Sequence, residues 1–199
     1  MPYKAALERQ QVLADERARG VGTDRICAVE HPPTVTLGLN APAEDILLDR
    51  AELARRGVEI VRADRGGRAT YHGPGQAIVY PIVKIDELGL GALRWVSVLE
   101  DALRSVLQDF GVQACCRAGN PGLWVQNAKI ASIGLRVRRG VSYHGVSLNV
   151  GLDVSGFDCI VTCGVAGQSV TSIAAQTSSA PDVFDVRARI SRAIHDRIT

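Results

Sequence analysis

Two side chains in this sequence could carry covalent or proton-transfer chemistry, and Cys163 is the first of them. It lies in the segment IVTCGVAG, where a β-type run, IVT, ends at the cysteine and glycines follow. A thiol at a strand end, close to open backbone N–H groups, can act as a nucleophile beside an oxyanion hole. The alternative for the same pattern is an ordinary buried cysteine.

Lys129 is the second candidate, and it follows a turn predicted at Gln126-Asn127. In the strand after that turn, the lysine alternates in phase with Ile133, Leu135 and Val137. If the register is unbroken, the side chain points with these apolar neighbours. A desolvated lysine can act as a base near neutral pH. The alternative is a solvated lysine at the tip of a turn.

A glycine-rich segment, DRGGRATYHGPGQ, spans Asp64 to Gln76 and lies between two predicted strands. Its glycines let a ligand approach the backbone closely, and its Arg, Tyr and His residues supply polar side chains. The segment has neither a GxGxxG fingerprint nor the GK[ST] ending of a phosphate-binding loop. It is therefore a candidate substrate cradle, with a long structural turn as the alternative.

His144, in YHGVSLNV, alternates in phase with Val146, Leu148 and Val150. This pattern predicts that the imidazole faces the same side as an apolar row. Such a histidine is either a hydrogen-bonded core residue or a binding residue, and the following Gly145 favours binding.

The predicted elements that position these residues form a mixed α/β domain without the strict βα alternation of a doubly wound fold. Helices are predicted over Tyr3 to Ala18 and in AELARRG. A third helix ends at Gly111 and has one apolar face, formed by Val96, Leu99, Leu103, Val106 and Phe110. The last helix is predicted from Val183 to Ile198, with Asp182 as its N-cap. Strands are predicted on both sides of the turn in ICAVEHPPTVTLG, in VEIVRA, in a central run from Gln76 to Val83, in a hairpin turning at Gln126-Asn127, and in YHGVSLNVGLDV.

Composition limits the possible classes of protein. The chain has 199 residues, of which 46% are hydrophobic, and a net charge of +2. One domain over residues 1–199 is expected, and a nucleic-acid binder is not. Five cysteines without a CxxC pair predict neither a disulfide framework nor a metal site. Without a signal-type or membrane-spanning segment, a soluble cytoplasmic protein is expected.

Taken together, several segments resemble the lipoyl(octanoyl) transferase family. They are, in the family's order, VEHPPTVTLG, DRGGRATYHGPGQ, AKIASIGLRVRRGVSYHGVSLNV and TCGVAG. The resemblance extends from about Ile26 to Ile173. It implies a fold similar to the catalytic domain of biotin protein ligases and lipoate ligases. One departure is Thr162, which stands where the family usually has proline.

The resemblance also implies roles for individual residues. Cys163 would form an acyl-thioester, and Lys129 would activate it and shuttle the proton, with no cofactor and no metal. Backbone N–H groups near Gly134 would stabilise the oxyanion. The candidate substrate-binding residues are Arg65, Gly66, Gly67, Arg68, Ala69, Thr70, Tyr71, His72, Ser132, Ile133, Gly134, His144, Gly145, Val146 and Ser147.

The implied partners are proteins that carry the acyl group. The donor would be octanoyl-acyl carrier protein, and the acceptors would be lysines of lipoyl domains in 2-oxoacid dehydrogenase subunits and of the glycine cleavage H protein. Such partners are usually acidic. A basic patch of Arg136, Arg138 and Arg139, with Arg65 and Arg68 nearby, could steer them; a solvated strand edge guarded by charge is the alternative.

Three other functions remain open at this point. An ATP-dependent lipoate ligase would share the fold but would not need Cys163. A cysteine thioester hydrolase would use His72 or His144 as base and would release free octanoate. A non-catalytic binding module would form no covalent adduct.

Overall fold

Five α-helices and nine β-strands form the part of the chain that the computed structural model describes, residues 1–165 and 167–199. The helices are Tyr3–Ala18 (α1), Arg50–Arg55 (α2), Ala92–Asp109 (α3), Ile173–Thr177 (α4) and Val183–His195 (α5). The strands are Arg25–Val29 (β1), Thr34–Leu37 (β2), Glu59–Arg62 (β3), Ala69–His72 (β4), Gln76–Lys84 (β5), Cys115–Arg117 (β6), Asn120–Val125 (β7), Ala128–Arg138 (β8) and Val141–Asn149 (β9). The predicted mixed α/β class is confirmed.

The larger sheet has six strands in the order β1-β5-β9-β8-β7-β6, and all neighbours are antiparallel. The apolar run that predicted a central strand is β5, which lies between β1 and β9 and is buried except at Lys84. Strands covered on both faces have such continuous apolar runs, because neither face alternates toward water.

The smaller sheet has three strands in the order β3-β2-β4, with β2 parallel to β3 and antiparallel to β4. The segment ICAVEHPPTVTLG forms the predicted strand, turn and strand, but the two strands enter different sheets. β1 pairs with β5, whereas β2 pairs with β3 and β4. The intervening Pro32-Pro33 cannot donate to a ladder, and the chain changes sheets there.

Helices α3 and α5 cover one face of the larger sheet, and α1 covers part of the other. The spacing predicted for α3 is confirmed, because Leu99, Leu103 and Val106 are buried in the main core. Asp182 accepts a hydrogen bond from the Phe184 N–H as N-cap of α5, which ends at His195, three residues before the predicted Ile198. The main core therefore lies between the large sheet and α3 with α5.

No helix within residues 1–165 and 167–199 combines the length and the hydropathy that a membrane span requires.

Truncating the α3 core contact should destabilise the fold. The Leu103 side chain is 0% exposed in the main core, so Leu103→Ala leaves a cavity and should lower the free energy of unfolding by about 2–5 kcal/mol. Leu93→Ala is the matched control on the same helix, since Leu93 is 87% exposed, and its effect should stay within about 0.5 kcal/mol. Urea denaturation measures both; equal effects would contradict this account of the core.

Candidate functional site

Cys163 lies in a short 3-10 turn formed by residues 162–164, with its backbone in the left-handed region at φ 54° and ψ 21°. The prediction of a β-strand in the three residues before Cys163 is wrong. Ile160 makes only an isolated bridge with Ile46, and Thr162 already belongs to the turn. A non-glycine residue in this region is strained, and surrounding contacts must hold it in place. Ala166 of TCGVAG lies outside the described residues.

A β-bulge in β8 determines where the Lys129 side chain points. Trp124 pairs with Lys129 while Leu123 pairs with Ala131, so β8 has one extra residue, Ile130. Opposed residues share a face, so Lys129 lies with Trp124, whereas Leu123, Ile130 and Ala131 face the main core. The predicted phase with Ile133 and Leu135 is therefore wrong, because a bulge shifts the alternation by one residue.

Lys129 is nevertheless buried, with 3% of its surface exposed. Its Nζ lies 3.1 Å from the Cys163 Sγ, 3.1 Å from the Pro121 carbonyl oxygen and 3.2 Å from the Asn120 Oδ1. The same nitrogen lies 4.6 Å from the centre of the Trp124 ring. An ammonium group has three N–H donors, and here each has an acceptor.

Gly122 makes room for this lysine. It has φ 133°, and a Cβ at this position would lie 2.9 Å from the Lys129 Cε and 2.3 Å from the Ala131 carbonyl oxygen. A larger residue would therefore displace the lysine or the bulge. Chemically, the arrangement suits a protonated lysine that donates to a thiolate, because the sulfur accepts most strongly when it is charged.

A cavity of about 520 Å³ opens beside the Cys163–Lys129 pair. Its volume is in the range of sites that hold small organic ligands. The sequence-predicted residues that line it are Lys129, Cys163, Arg65, Gly66, Gly67, Arg68, Ala69, Thr70, His72, Ser132, Ile133, Gly134, His144, Gly145, Val146 and Ser147. Tyr71 is the exception. Its ring packs edge-on against Phe157, 5.6 Å away, in the core of the smaller sheet.

The glycine-rich segment forms one wall of this cavity, and its end is regular β-structure rather than loop, since β4 begins at Ala69. Arg65 is buried, and its guanidinium donates to the Thr36 carbonyl and hydroxyl oxygens at 2.7 Å. The Gly66 N–H donates to the Leu135 carbonyl oxygen at 2.8 Å, which joins the segment to the edge of β8. Arg65 is therefore a buried side chain that hydrogen-bonds the glycine-rich segment to β2, and it is not part of a surface patch.

His144 lies on the opposite face from the predicted one, because its φ of 58° reverses its direction. The β5–β9 ladder is interrupted beside Pro81, which has no N–H to donate, and the His144 N–H donates to the Gln10 Oε1 instead. The imidazole Nε2 lies 2.8 Å from the Asp64 Oδ1, and Nδ1 lies 3.5 Å from the Tyr3 hydroxyl. His144 thus contacts α1 and the glycine-rich segment, away from the apolar row.

Buried titratable groups concentrate around the cavity. Desolvation lowers the pKa of His72 to about 3 and also lowers the pKa values of His31 and His144. The hydrogen bond from His144 lowers the pKa of Asp64 to about 2. These histidines are therefore neutral at pH 7, and Asp64 is charged.

Some cavity residues were not predicted from the sequence to belong to a substrate site. They are Tyr3, Ile78, Tyr80, Val96, Gly119, Asn120, Pro121, Leu135 and Val165. Ile78 and Tyr80 belong to a strand that was predicted, but nothing in its pattern distinguished the cavity face from the core face. Asn120 and Pro121 reach Lys129 only because β7 pairs with β8 in a bulged register. A pairing register is a tertiary property, and it cannot be read from local composition.

Two further sequence-based expectations concern the surface and metal ions. The side chains of Arg136, Arg138 and Arg139 are exposed, as a basic patch requires, although Arg138 lies 3.6 Å from Asp15. Within the described residues, no cluster of three or more His, Cys, Asp and Glu side chains has an arrangement that could hold a metal ion.

Solved structures define the class of fold. The lipoate-protein ligase A bound with ATP superposes with a TM-score of 0.75 at 16% sequence identity, over 95% of this chain and 80% of that one. The biotin protein ligase from Aquifex aeolicus in complex with biotin and ATP gives 0.57 at 13% identity, over 83% of this chain and 69% of that one. The predicted similarity to these ligase catalytic domains is confirmed at the level of fold.

The chain belongs to the family described as the lipoyl protein ligase A/B catalytic domain, which it matches over residues 2–195. It is also similar to proteins named octanoyltransferase. That of Chloroflexus aurantiacus (strain ATCC 29366 / DSM 635 / J-10-fl) is 46% identical over 191 residues, which cover 94% of this chain and 86% of that protein. That of Pseudomonas syringae pv. syringae (strain B728a) is 39% identical over 188 residues, with 94% and 83% covered.

The buried histidines should make the fold sensitive to acid. His72 has a lower pKa in the folded protein, about 3, than its ordinary value of 6.5, so its contribution is complete above pH 6.5 and is lost as the pH falls toward 3. Over this interval the unfolded chain takes up a proton that the folded protein does not. The free energy of unfolding should fall by about 1.4 kcal/mol per pH unit for this group.

Urea denaturation between pH 6 and pH 4 measures this slope. His72→Gln should reduce the slope by about 1.4 kcal/mol per pH unit. His195→Gln, at the exposed end of α5, is the matched control and should leave the slope unchanged. An unchanged slope in His72→Gln would contradict the assignment to His72.

Proposed function

We propose that this enzyme transfers an octanoyl group from octanoyl-acyl carrier protein to a lysine of a lipoyl domain, through a thioester on Cys163. The observation that carries the proposal is the 3.1 Å contact between the Lys129 Nζ and the Cys163 Sγ at the wall of a 520 Å³ cavity. The relatives at 39–46% identity are named octanoyltransferase, and the family is described as the lipoyl protein ligase A/B catalytic domain. The proposed acceptors are lipoyl domains of 2-oxoacid dehydrogenase subunits and the glycine cleavage H protein.

In the first half-reaction, the Cys163 thiolate attacks the carbonyl carbon of the donor thioester. A new C–S bond forms to Cys163, and the C–S bond to the carrier breaks. The departing carrier thiolate takes a proton from the Lys129 ammonium, whose three hydrogen-bond acceptors orient it beside the sulfur. One thioester replaces another, so the step needs no nucleotide.

In the second half-reaction, the amine of the acceptor lysine attacks the octanoyl-Cys163 thioester. Lys129, now neutral, takes the proton that the amine loses as the amide forms. The C–S bond to Cys163 breaks, and the thiolate is again paired with the Lys129 ammonium. Each half-reaction leaves the enzyme ready for the next, which predicts ping-pong kinetics.

The cavity wall suits an alkyl chain. The apolar residues Ile78, Val96, Ile133, Leu135 and Val146 line it. Burial of a chain against such groups is favourable by about 0.8 kcal/mol for each CH₂ removed from water. A medium-length acyl group therefore gains affinity from the cavity itself, independently of the protein that carries it.

The setting of the reaction follows from the same proposal. The exposed Arg136, Arg138 and Arg139 form the surface to which acidic carrier and lipoyl domains would be steered. We place the enzyme in the cytoplasm, and we treat residues 1–199 as one catalytic domain, which the family match over residues 2–195 supports.

Removing the thiol tests the covalent intermediate. Cys163→Ala should take up no octanoyl group from octanoyl-acyl carrier protein, and transfer to a lipoyl domain without ATP should fall by at least about a thousandfold, as for other covalent nucleophiles. Intact-protein mass spectrometry detects the adduct on the wild type. Cys115→Ala, which removes an exposed thiol, is the control and should retain both the adduct and transfer.

The same assay separates the alternative functions. Undiminished transfer by Cys163→Ala would exclude the thioester route, and strict dependence on ATP would indicate a ligase. Release of free octanoate without any lipoyl domain would indicate a hydrolase. The absence of an adduct on the wild type would favour a binding module.

Removing the ammonium tests its activating role. Lys129→Met keeps much of the side-chain volume but removes the donor that lies 3.1 Å from the Cys163 Sγ. Alkylation of Cys163 by iodoacetamide at pH 7 should slow by at least about tenfold, which corresponds to a loss of about 1.4 kcal/mol. Lys84→Met, at the end of β5, is the control. Equal alkylation rates in wild type and Lys129→Met would remove Lys129 from this role.

A further inference from the structure

We propose that Asp45 and Arg68 form a clamp that positions Cys163 against Lys129. The inference rests on the proposed function for its meaning, but its geometry is independent of it. The Asp45 carboxylate is 1% exposed, and both of its oxygens accept hydrogen bonds from one guanidinium. Arg68 Nε donates to Oδ2 at 3.0 Å, and Nη2 donates to Oδ1. This planar two-point contact fixes the orientation of the arginine.

The backbone next to Asp45 holds the chain that leads into the nucleophile. The Asp45 carbonyl oxygen accepts from the Val161 N–H at 2.8 Å, and the Leu47 N–H donates to the Cys159 carbonyl oxygen at 2.9 Å. Between these two bonds, Ile46 and Ile160 form an antiparallel bridge. Residues 45–47 therefore fix residues 159–161, just before the Cys163 turn.

The segment after the turn has a second anchor on β8. The Lys129 N–H donates to the Ser169 carbonyl oxygen at 2.8 Å, and the Lys129 carbonyl oxygen accepts from the Thr171 N–H at 2.9 Å. The chain that carries Cys163 is thus tied at residues 159–161 and again at 169–171. The turn itself lies between the two anchors and needs contacts of its own.

Arg68 supplies such a contact. A Cβ at Gly164 would lie 2.5 Å from the Arg68 Cδ and 2.5 Å from its Nη1, so the arginine packs directly on this backbone. Cys163 and Gly164 are both left-handed, with φ of 54° and 77°. Glycine adopts this region readily, whereas Cys163, as a non-glycine residue, persists there only where its surroundings enforce it. Asp45 thus holds the segment before the nucleophile through its carbonyl oxygen and the residue after it through Arg68.

Asp45 and Arg68 are accordingly positioning residues, since their effect reaches the reaction through the place of Cys163. If the clamp is weakened, the turn can relax, and the Sγ then leaves its 3.1 Å contact with the Lys129 Nζ. The thiol would remain present and accessible, but it would lose its paired cation. Its reactivity should therefore fall at neutral pH and recover where every thiol is ionised.

Asp45→Asn tests the clamp, because it keeps the shape of the side chain and removes its charge. Alkylation of Cys163 by iodoacetamide, followed by peptide mass spectrometry, should slow by about tenfold at pH 7 and by less than about twofold at pH 10. The octanoyl-transfer kcat should fall with the pH 7 rate. Arg68→Gln should behave alike, Arg68→Lys should recover part of the loss, and the double variant should lose no more than either single one.

Asp101→Asn is the control variant, since it removes one carboxylate from an exposed pair with Arg104 on α3. It should leave both alkylation rates and transfer unchanged. Buried Cys159 is an internal reporter of unfolding, and it should stay protected in every variant.

Three outcomes would overturn the clamp. They are an unchanged pH 7 rate in Asp45→Asn, multiplicative losses in the double variant, or alkylation of Cys159 together with Cys163. Failure of the proposed function looks different, because the wild type would then take up no octanoyl group while the alkylation pattern still separates the variants.

Discussion

The contact between the Lys129 Nζ and the Cys163 Sγ is the constraint on which the rest of the site depends. It joins residues that are 34 positions apart, one on a sheet strand and one in an irregular turn. A 3.1 Å contact between these two atoms persists only if other contacts fix the backbone of the strand at Lys129 and the backbone of the turn at Cys163. The β8 bulge, the close approach at Gly122 and the hydrogen bonds of Lys129 with Ser169 and Thr171 all serve this requirement.

Several polar side chains beside the cavity are hydrogen-bonded to one another. The His72 Nδ1 lies 2.7 Å from the Gln76 Oε1, Gln76 donates to the Asn149 Oδ1 at 2.9 Å, and Asn149 donates to the Thr171 carbonyl oxygen at 2.9 Å. This chain of bonds runs from the glycine-rich segment to Thr171, whose N–H donates to the Lys129 carbonyl oxygen. Because each member of this chain of bonds has a partner, this part of the wall is rigid without being wholly apolar.

The local sequence pattern predicted most helices and strands correctly, but it did not predict how the strands pair or which way some side chains point. The apolar spacing of α3 and the β5 run were enough to place both elements, because periodicity reports burial directly. The faces of Lys129 and His144 were predicted wrongly for a common reason. A bulge at Ile130 and a left-handed residue beside Pro81 each break the alternation, and neither has a local signature. The cavity residues were found largely through family resemblance, whereas Asn120 and Tyr3 needed the tertiary structure.

The last ladder pair between β7 and β8 joins Gly122 to Ser132, and the next residue of β7 is Pro121, which has no N–H to donate. Beyond this pair the edge of β8 bonds to Gly66 of another segment. The cavity thus lies where the pairing with β7 ends and β8 no longer has a partner strand on that side. The length of β7 paired with β8 therefore determines how much space is available to a ligand. If β7 paired with β8 over more residues, the sheet would continue across this gap and close it. The space available to a ligand therefore depends on where a strand ends as well as on the side chains of the cavity wall.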